Sequence, residues 1–210
     1  QSVMVQMIHE KGISLLVYAS HPYAAVATET AMLAAKEAGI PYIRYERAET
    51  PLPAYDKLYR TQSEAEAAEV AGKLAGTLNK KVYLTTGSKT LPIFKKATAL
   101  TEMEVWTRVL PTSEVLRECE ELGFTPKYVV AVQGPFSYAM NHAMFKDTEA
   151  DVVVMKNSGL VGGSDTKFEA AMDLGLHIVV IDRPEPSKGE LTVQSKDELR
   201  AAIQEERWLK

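Results

Sequence analysis

The chain has 210 residues, 46% apolar and 25% charged, which is enough for a buried core and argues against disorder, a collagen-like fibre or a coiled-coil rod. Lys and Arg number 24 against 28 Asp and Glu, a net charge of −4, so a general nucleic-acid binder, which needs a positive field to displace counterions, is disfavoured. Cys119 is the only cysteine; that rules out an internal disulfide framework and a cysteine-rich metal site, and makes a reducing, cytoplasmic setting the expectation.

No apolar run approaches the roughly 20 residues that span a bilayer, so no membrane segment is expected. Gln1 is not an initiator, and residues are expected ahead of it. Residues 3–8, followed by Lys11-Gly12, predict a short helix with a glycine stop. Residues 13–19 (ISLLVYA) read as a buried strand, 24–38 as an Ala-rich helix stopped by Gly39, and 42–45 as a strand. The stretch 47–62, with Pro51 and Pro53, reads as a loop. Residues 63–78 predict a helix opened by Ser63 and Glu66 in capping-box spacing. A strand over 82–85 leads into Thr86-Gly87-Ser88-Lys89.

The rhythm then repeats. Strands are predicted over 104–110, 128–132, 151–155 and 177–181, and helices over 113–122, 137–146, 167–174 and 196–209. Short β-branched strands alternating with helices imply an α/β fold with parallel sheets covered on both faces. The least regular link, 90–103, sets the expected boundary between an N-terminal domain, 1–101, and a C-terminal domain, 102–210.

In open parallel sheets ligands bind beyond the carboxyl ends of the strands. The segments there are rich in glycine, hydroxyls and cations. Thr85 to Lys89 offers backbone N–H groups, hydroxyls and an ammonium to a phosphate, without the spacing of a Walker loop; a capped strand-to-helix turn explains it equally well. Lys156-Asn157-Ser158-Gly159, with Gly162-Gly163 and then Lys167, lets backbone approach a ligand between two lysines, the alternative being a connector with solvated lysines. Gln133-Gly134-Pro135-Phe136-Ser137 follows a third strand, with Ser137 best read as a helix cap. His21 could donate to a ligand or act as an acid; alone, it is better read as tying its turn together. Arg44 and Arg47 could clamp a phosphate or carboxylates, or pair with Glu46 and Glu49. Arg108 and Arg183 carry the same ambiguity. His9, His142 and His177 read as structural or surface residues, and nothing has metal-ligand spacing. The residues alone describe a site for an anionic, phosphate-bearing ligand.

The ordered set His21-Pro22-Tyr23-Ala24, Tyr42 to Arg47, Leu84 to Lys89, Arg108-Val109-Leu110-Pro111, Gln133 to Ser137, Lys156 to Gly159 with Gly162-Gly163, and Ile181-Asp182-Arg183-Pro184 resembles the precorrin-6A reductase family, including its cobalt-precorrin-6A counterpart, over residues 13–184. The resemblance implies two Rossmann-like α/β domains with a cleft between them. It implies reduction of one ring double bond of a macrocyclic polycarboxylate by NADPH or NADH in cobalamin biosynthesis. It implies Arg44 and Thr86, Gly87, Ser88 and Lys89 on the nucleotide. Gln133, Lys156, Ser158, Gly159, Gly162, Gly163 and Lys167 would line the cleft, and His21 would lie near the reacting centre. The family's opening strand and Gly-Thr-x-Glu loop are expected ahead of Gln1. The family's Asp-Ala-Thr-His-Pro stands here as Tyr18-Ala19-Ser20-His21-Pro22, without the Asp. That departure keeps a non-catalytic nucleotide- or tetrapyrrole-binding protein of the same fold as the alternative. A sugar-nucleotide glycosyltransferase explains the ordered motifs poorly. Cobalt in the ring, the nucleotide preference and the oligomeric state are not readable from these residues.

Overall fold

The computed structural model describes residues 1–21, 23–46, 49–159, 162–183 and 191–204. Arg47, Pro22, Pro184 and the predicted helical residues beyond Gln204 lie outside that set. The described strands are β1 (Leu16–Tyr18), β2 (Tyr42–Tyr45), β3 (Leu58–Thr61), β4 (Lys81–Leu84), β5 (Glu104–Val109), β6 (Val129–Ala131), β7 (Val152–Lys156), β8 (His177–Ile181) and β9 (Leu191–Val193). The helices are α1 (Ser2–Glu10), α2 (Ala25–Glu37), α3 (Glu64–Gly76), α4 (Leu91–Lys96), α5 (Ser113–Glu121), α6 (Tyr138–Asp147), α7 (Ser164–Asp173) and α8 (Lys196–Gln204).

The chain forms two compact units, one of Gln1–Ala48 with Pro184–Lys210 and one of Glu49–Arg183. The smaller unit holds a parallel sheet in the order β1-β2-β9. Ile43 at its centre is fully buried, with Val193 and Ala202 beside it. The larger unit holds a six-stranded parallel sheet in the order β3-β8-β7-β4-β5-β6. Counted from β4, the order is that of a Rossmann sheet, β6-β5-β4-β7-β8, with β3 added at the far edge. β7 is a continuous Val-Val-Val-Met run, buried along both faces as an inner parallel strand must be. One face packs Tyr83, Val153, Met155, Ile178 and Val180 against Phe145 and Phe168 of α6 and α7. On α3, Ala67, Ala68, Ala71, Gly72 and Ala75 are buried, and the helix lies against β3, β4, β7 and β8.

Two of these features correct the sequence reading. The stretch 47–62 is not all loop: β3 follows the prolines and pairs with β8, Leu58 opposite Ile178 and Thr61 opposite Ile181. β9 was not foreseen; three residues carry no readable period, and the strand exists through its pairing with β2. The division at 101/102 also moves. It would cut between β4 and β5, which pair directly from Lys81↔Glu104 to Leu84↔Thr107, while the C-terminal β9 completes the sheet begun by β1 and β2.

The helix caps follow the chemistry of the sequence. The Ser63 hydroxyl accepts from the Glu66 N–H at 3.2 Å, and the Glu66 carboxylate accepts from the Gln62 N–H at 2.7 Å. Thr112 and Ser137 cap α5 and α6 in the same way. Gly72 marks the closest approach of α3 to its neighbours: a Cβ there would lie 2.4 Å from the Ala99 carbonyl oxygen and 2.6 Å from the Ala99 Cβ. Gly76, one turn on, would meet only the Met103 methyl at 3.6 Å. Alanine normally gains about 1 kcal/mol over glycine inside a helix, but overpacking costs about 1–3 kcal/mol. Gly72→Ala is therefore expected to lower the urea midpoint and Gly76→Ala to leave it unchanged or raise it, checked by equilibrium unfolding of both variants.

Candidate functional site

The strand order reverses between β4 and β7, and the loops leaving these two strands start side by side. Their pairing continues past the strands, for the Thr85 N–H donates to the Val154 carbonyl at 2.9 Å and its hydroxyl to the same oxygen at 3.1 Å. In a doubly wound sheet this reversal opens a crevice at the strands' carboxyl ends.

The β4 loop is built on Gly87, whose φ of +83° and ψ of 169° suit glycine and little else. The Thr90 hydroxyl donates to the Gly87 carbonyl at 3.0 Å, so the Thr86 hydroxyl, 2.7 Å away, is the donor to Thr90. Those bonds hold the turn. A Cβ at Gly87 would meet nothing within 4 Å. Ser88 is half-buried and Lys89 is exposed.

The β7 loop is more heavily pinned. The Asn157 side chain accepts from the Thr50 N–H at 3.2 Å and donates to its carbonyl at 2.7 Å. Arg183 donates from Nε to the Asn157 carbonyl at 3.0 Å and pairs with Glu49 at 3.3 Å. The Ser158 N–H donates to the Ser164 hydroxyl at 2.9 Å. A Cβ on Gly162 would sit 2.2 Å from Ser158 Oγ, so this glycine is required by the loop's own closure. Gly159 and Gly163 have φ of +79° and +65°, conformations that a side chain would strain. Lys156 is tied to Glu64 at 3.0 Å. Burial works against ionisation of Glu64, yet the hydrogen bond from Lys156 holds its carboxyl below the ordinary range.

Beside this loop, α7 and α6 meet β5. Arg108 is buried, donates from Nη1 to Asn141 Oδ1 at 2.8 Å and lies 4.6 Å from the centre of the Phe136 ring. Asn141 Nδ2 donates to Thr166 Oγ1 at 3.2 Å, and Thr166 donates to the Phe136 carbonyl at 3.0 Å. Lys167, next in sequence, is 6% exposed. Burial, and then the charge of Arg108, push its amine down to about 7. Tyr83, on β4, donates its hydroxyl to the Met144 sulfur at 3.5 Å, and burial pushes it up to about 12 against the pull of Arg108.

The predicted site residues thus fall into distinct places. Thr86, Gly87, Ser88, Lys89, Lys156, Ser158, Gly159, Gly162, Gly163 and Lys167 all belong to the larger unit, on the β4 and β7 loops and the start of α7. Gln133 is exposed on the loop after β6, whose Pro135 Cβ would be 3.5 Å from a Cβ at Gly163. His21 and Arg44 belong to the smaller unit. His21 is exposed; its Nδ1 accepts from the Tyr23 N–H at 3.3 Å, which places the neutral ring's proton on Nε2. Arg44 is 5% exposed, donates to the Thr28 hydroxyl at 2.7 Å and lies 3.4 Å from the Glu46 carboxylate. The sequence does not single out Asn141, Ser164 or Thr90, gives Asn157 a place in its motif but no role, and leaves Arg108 ambiguous. A charged residue inside the apolar strand Glu104–Val109 was the available signal for Arg108.

The sequence profile of the precorrin-6x reductase family CbiJ/CobK matches residues 1–204. The chain belongs to this family. The cobalt-precorrin-6A reductase of Priestia megaterium is 39% identical over 205 residues, which cover 97% of this chain and 78% of that protein. That of Salmonella typhimurium is 37% identical over 184 residues, 87% of this chain and 68% of its own length. That of Methanothermobacter thermautotrophicus is 39% identical over 171 residues, and the match spans about half of it, 55%. A solved CobK precorrin-6A reductase shares the fold, with a TM-score of 0.73 over 96% of this chain and 77% of that one at 24% identity.

The members of this reductase family are oxidoreductases, and this chain's other titratable groups have structural surroundings. Cys119 is buried, and burial followed by the charge of Glu118 raises its thiol. His177 faces the Tyr59 hydroxyl at 3.2 Å on the edge pair of strands. Among the described residues no three His, Cys, Asp or Glu side chains gather as metal ligands, and no helix is long and apolar enough to cross a membrane.

The low value for Lys167 has a consequence for folding. Unfolded, the amine titrates near the ordinary 10.5; folded, near 7. Below 7 both states hold the proton and the full penalty of a buried charge is present. Between 7 and 10.5 the unfolded state binds more protons, so stability rises with pH and the penalty disappears. Lys167→Met is expected to be more stable than the parent at pH 6, with a gap that narrows steadily toward pH 10, as read from paired urea midpoints.

Proposed function

We propose that this chain catalyses the nicotinamide-nucleotide-dependent reduction of one ring double bond of precorrin-6A or cobalt-precorrin-6A, a step of cobalamin biosynthesis. The observation that carries the reading is the reversal of strand order at β4 and β7 in a chain matched by the reductase family along its length. It sets the Thr85–Lys89 turn and the Lys156–Gly159 segment next to each other at the place where such sheets take nucleotides.

The residues fit a nucleotide. Gly87 keeps the outer face of its turn clear, and Ser88 and Lys89 add a hydroxyl and an ammonium to backbone N–H groups of the kind that hold phosphates. The bound nicotinamide supplies the hydride. Thr86 acts indirectly, fixing the turn through Thr90. Arg44, held by Thr28 and Glu46, is the candidate of the smaller unit for a nucleotide phosphate. Lys167 and Gln133 present an amine and an amide to the carboxylates of the macrocycle, Lys156 would reach one by exchanging Glu64, and Ser158, Gly159, Gly162 and Gly163 bring backbone close to it. Saturating a carbon–carbon double bond takes a proton as well as a hydride. His21 is the group assigned to that transfer, as an imidazolium that gives up one proton and returns to the neutral ring.

The test is turnover by the full-length protein, with NADPH and with NADH, on both macrocycles, followed by loss of the reduced nicotinamide absorbance. Oxidation with one pairing is expected; binding of nucleotide and ring without oxidation would favour the binding-protein alternative. Ser88→Ala combined with Lys89→Ala is expected to raise KM for the nucleotide about tenfold with little change in kcat, the pattern of a lost phosphate contact. His21→Phe is expected to lower kcat by about 10²–10⁴-fold, as for a removed general acid.

A further inference from the structure

Two cations of the larger unit are buried without a counterion among the described residues. Arg108 is 9% exposed and Lys167 6%. The Arg108 guanidinium reaches Asn141 Oδ1, the Met144 sulfur and the Phe136 ring, none of them charged. Lys167 Nζ makes no hydrogen bond or ion pair with any described residue. By contrast, Lys156 is paired with Glu64 and Arg183 with Glu49. The charges that act on Lys167 are Arg108 from β5, which repels it, and Asp165 from α7 itself, which is exposed and therefore screened. Tyr83 of β4 acts on Arg108. A position serving packing alone would hold Leu or Met, which bury without desolvating a charge. Two like charges held together out of water are strongly unfavourable unless an anion joins them.

We propose that Arg108 and Lys167 together grip one oxyanion group of the bound ligand, a carboxylate of the macrocycle or a phosphate of the nucleotide; the identity of those ligands rests on the reductase reading above. The surroundings are built for it. α7 follows Gly163, which, like the residues before α1, α2 and α4, offers no side-chain cap to the first-turn N–H groups, whereas Ser63, Thr112 and Ser137 cap α3, α5 and α6. Asn141 holds Arg108 with one end of its amide and Thr166 with the other, so both cation-bearing elements are fixed to each other before a ligand arrives.

The pair carries a thermodynamic signature. In the ligand-free chain the Lys167 amine is largely uncharged above neutrality, held down to about 7 by burial and then by Arg108. An oxyanion beside it favours the charged form, so its arrival draws a proton from solvent.

Calorimetric titration of the full-length protein at pH 8, in two buffers of different ionisation enthalpy, reads that proton directly. The probes are NADP⁺ and uroporphyrin, a tetrapyrrole polycarboxylate. Uptake of close to one proton is expected with the probe that enters the subsite, and the arm that shows it names the source of the anion. Lys167→Met should abolish the uptake and weaken that probe about ten- to a hundredfold, as for a lost charge-assisted hydrogen bond; Arg108→Gln should weaken the same probe. Lys167→Arg should bind without uptake, since a guanidinium keeps its proton. Binding of neither probe, equal binding of both by Lys167→Met, or unchanged uptake in Lys167→Arg overturns the proposal. Turnover by the parent is scored separately. Turnover without Lys167-dependent uptake would sink the subsite alone, and uptake without turnover on either macrocycle would sink the reductase reading alone.

Discussion

The parallel pairing of β4 with β7 is the constraint on which the larger unit depends. Val82, Tyr83 and Leu84 lie opposite Val152, Val153 and Val154, and all six side chains are fully buried. Both strands are internal, so their ladders are complete on both edges and both faces are covered. The strands that follow β4 continue outward on one side, and those that follow β7 continue on the other. Chain direction and sheet order therefore force two βα loops to diverge from a single point. The rigid sheet below and the diverging loops above are two consequences of one arrangement, which is why the glycine-rich, cation-bearing segments need no other device to come together.

The positive charges around that point differ in kind. Lys156 and Arg183 are held by carboxylates and stabilise the path of the β7 loop, as Arg44 and Glu46 do within the smaller unit. Of these pairs only Arg44–Glu46 is buried on both sides, so breaking it leaves the partner charge uncompensated and is strongly destabilising. Lys89 is exposed and solvated. Arg108 and Lys167 fall in neither class. Arg108 is set by neutral contacts, chiefly the Asn141 amide and the Phe136 ring, which orient a cation without neutralising it, and Lys167 is held by burial alone. Orientation without neutralisation is what a group needs if its charge is to be met by something from outside the chain.

Much of this was readable from the sequence wherever the signal was local. The capping box at Ser63 and Glu66, the buried run of β7 and the glycine-rich ends of β4 and β7 follow from periodicity and spacing. Strands that exist only through distant partners were not readable: β3 and β9 are short, and each is recruited by a strand more than a hundred residues away in sequence. The same limit moved the domain boundary, because the C-terminal segment returns to the first sheet. In these loops the glycines also answer to a reason that their spacing did not show. Gly162 is required by the closeness of Ser158, a contact internal to the loop. The bridging roles of Asn141 and Asn157 were not readable because a buried amide in a helix or loop has no sequence signature until the groups it bridges are known.

The two members of the unpaired couple are chemically different, and the difference matters. A guanidinium stays charged under all ordinary conditions, so one arginine fixes one permanent positive charge beside α6. A second guanidinium would leave two permanent charges repelling each other in a desolvated space, with no means of relief in the ligand-free chain. A lysine can release its proton, and burial together with Arg108 drives it to do so close to neutrality. Above neutrality the larger unit can then fold around a single buried charge and regain the second when an anion is present. Placing lysine at 167 and arginine at 108 reconciles a stable sheet with a cationic site, and it makes the charge of that site a property of the complex rather than of the chain alone.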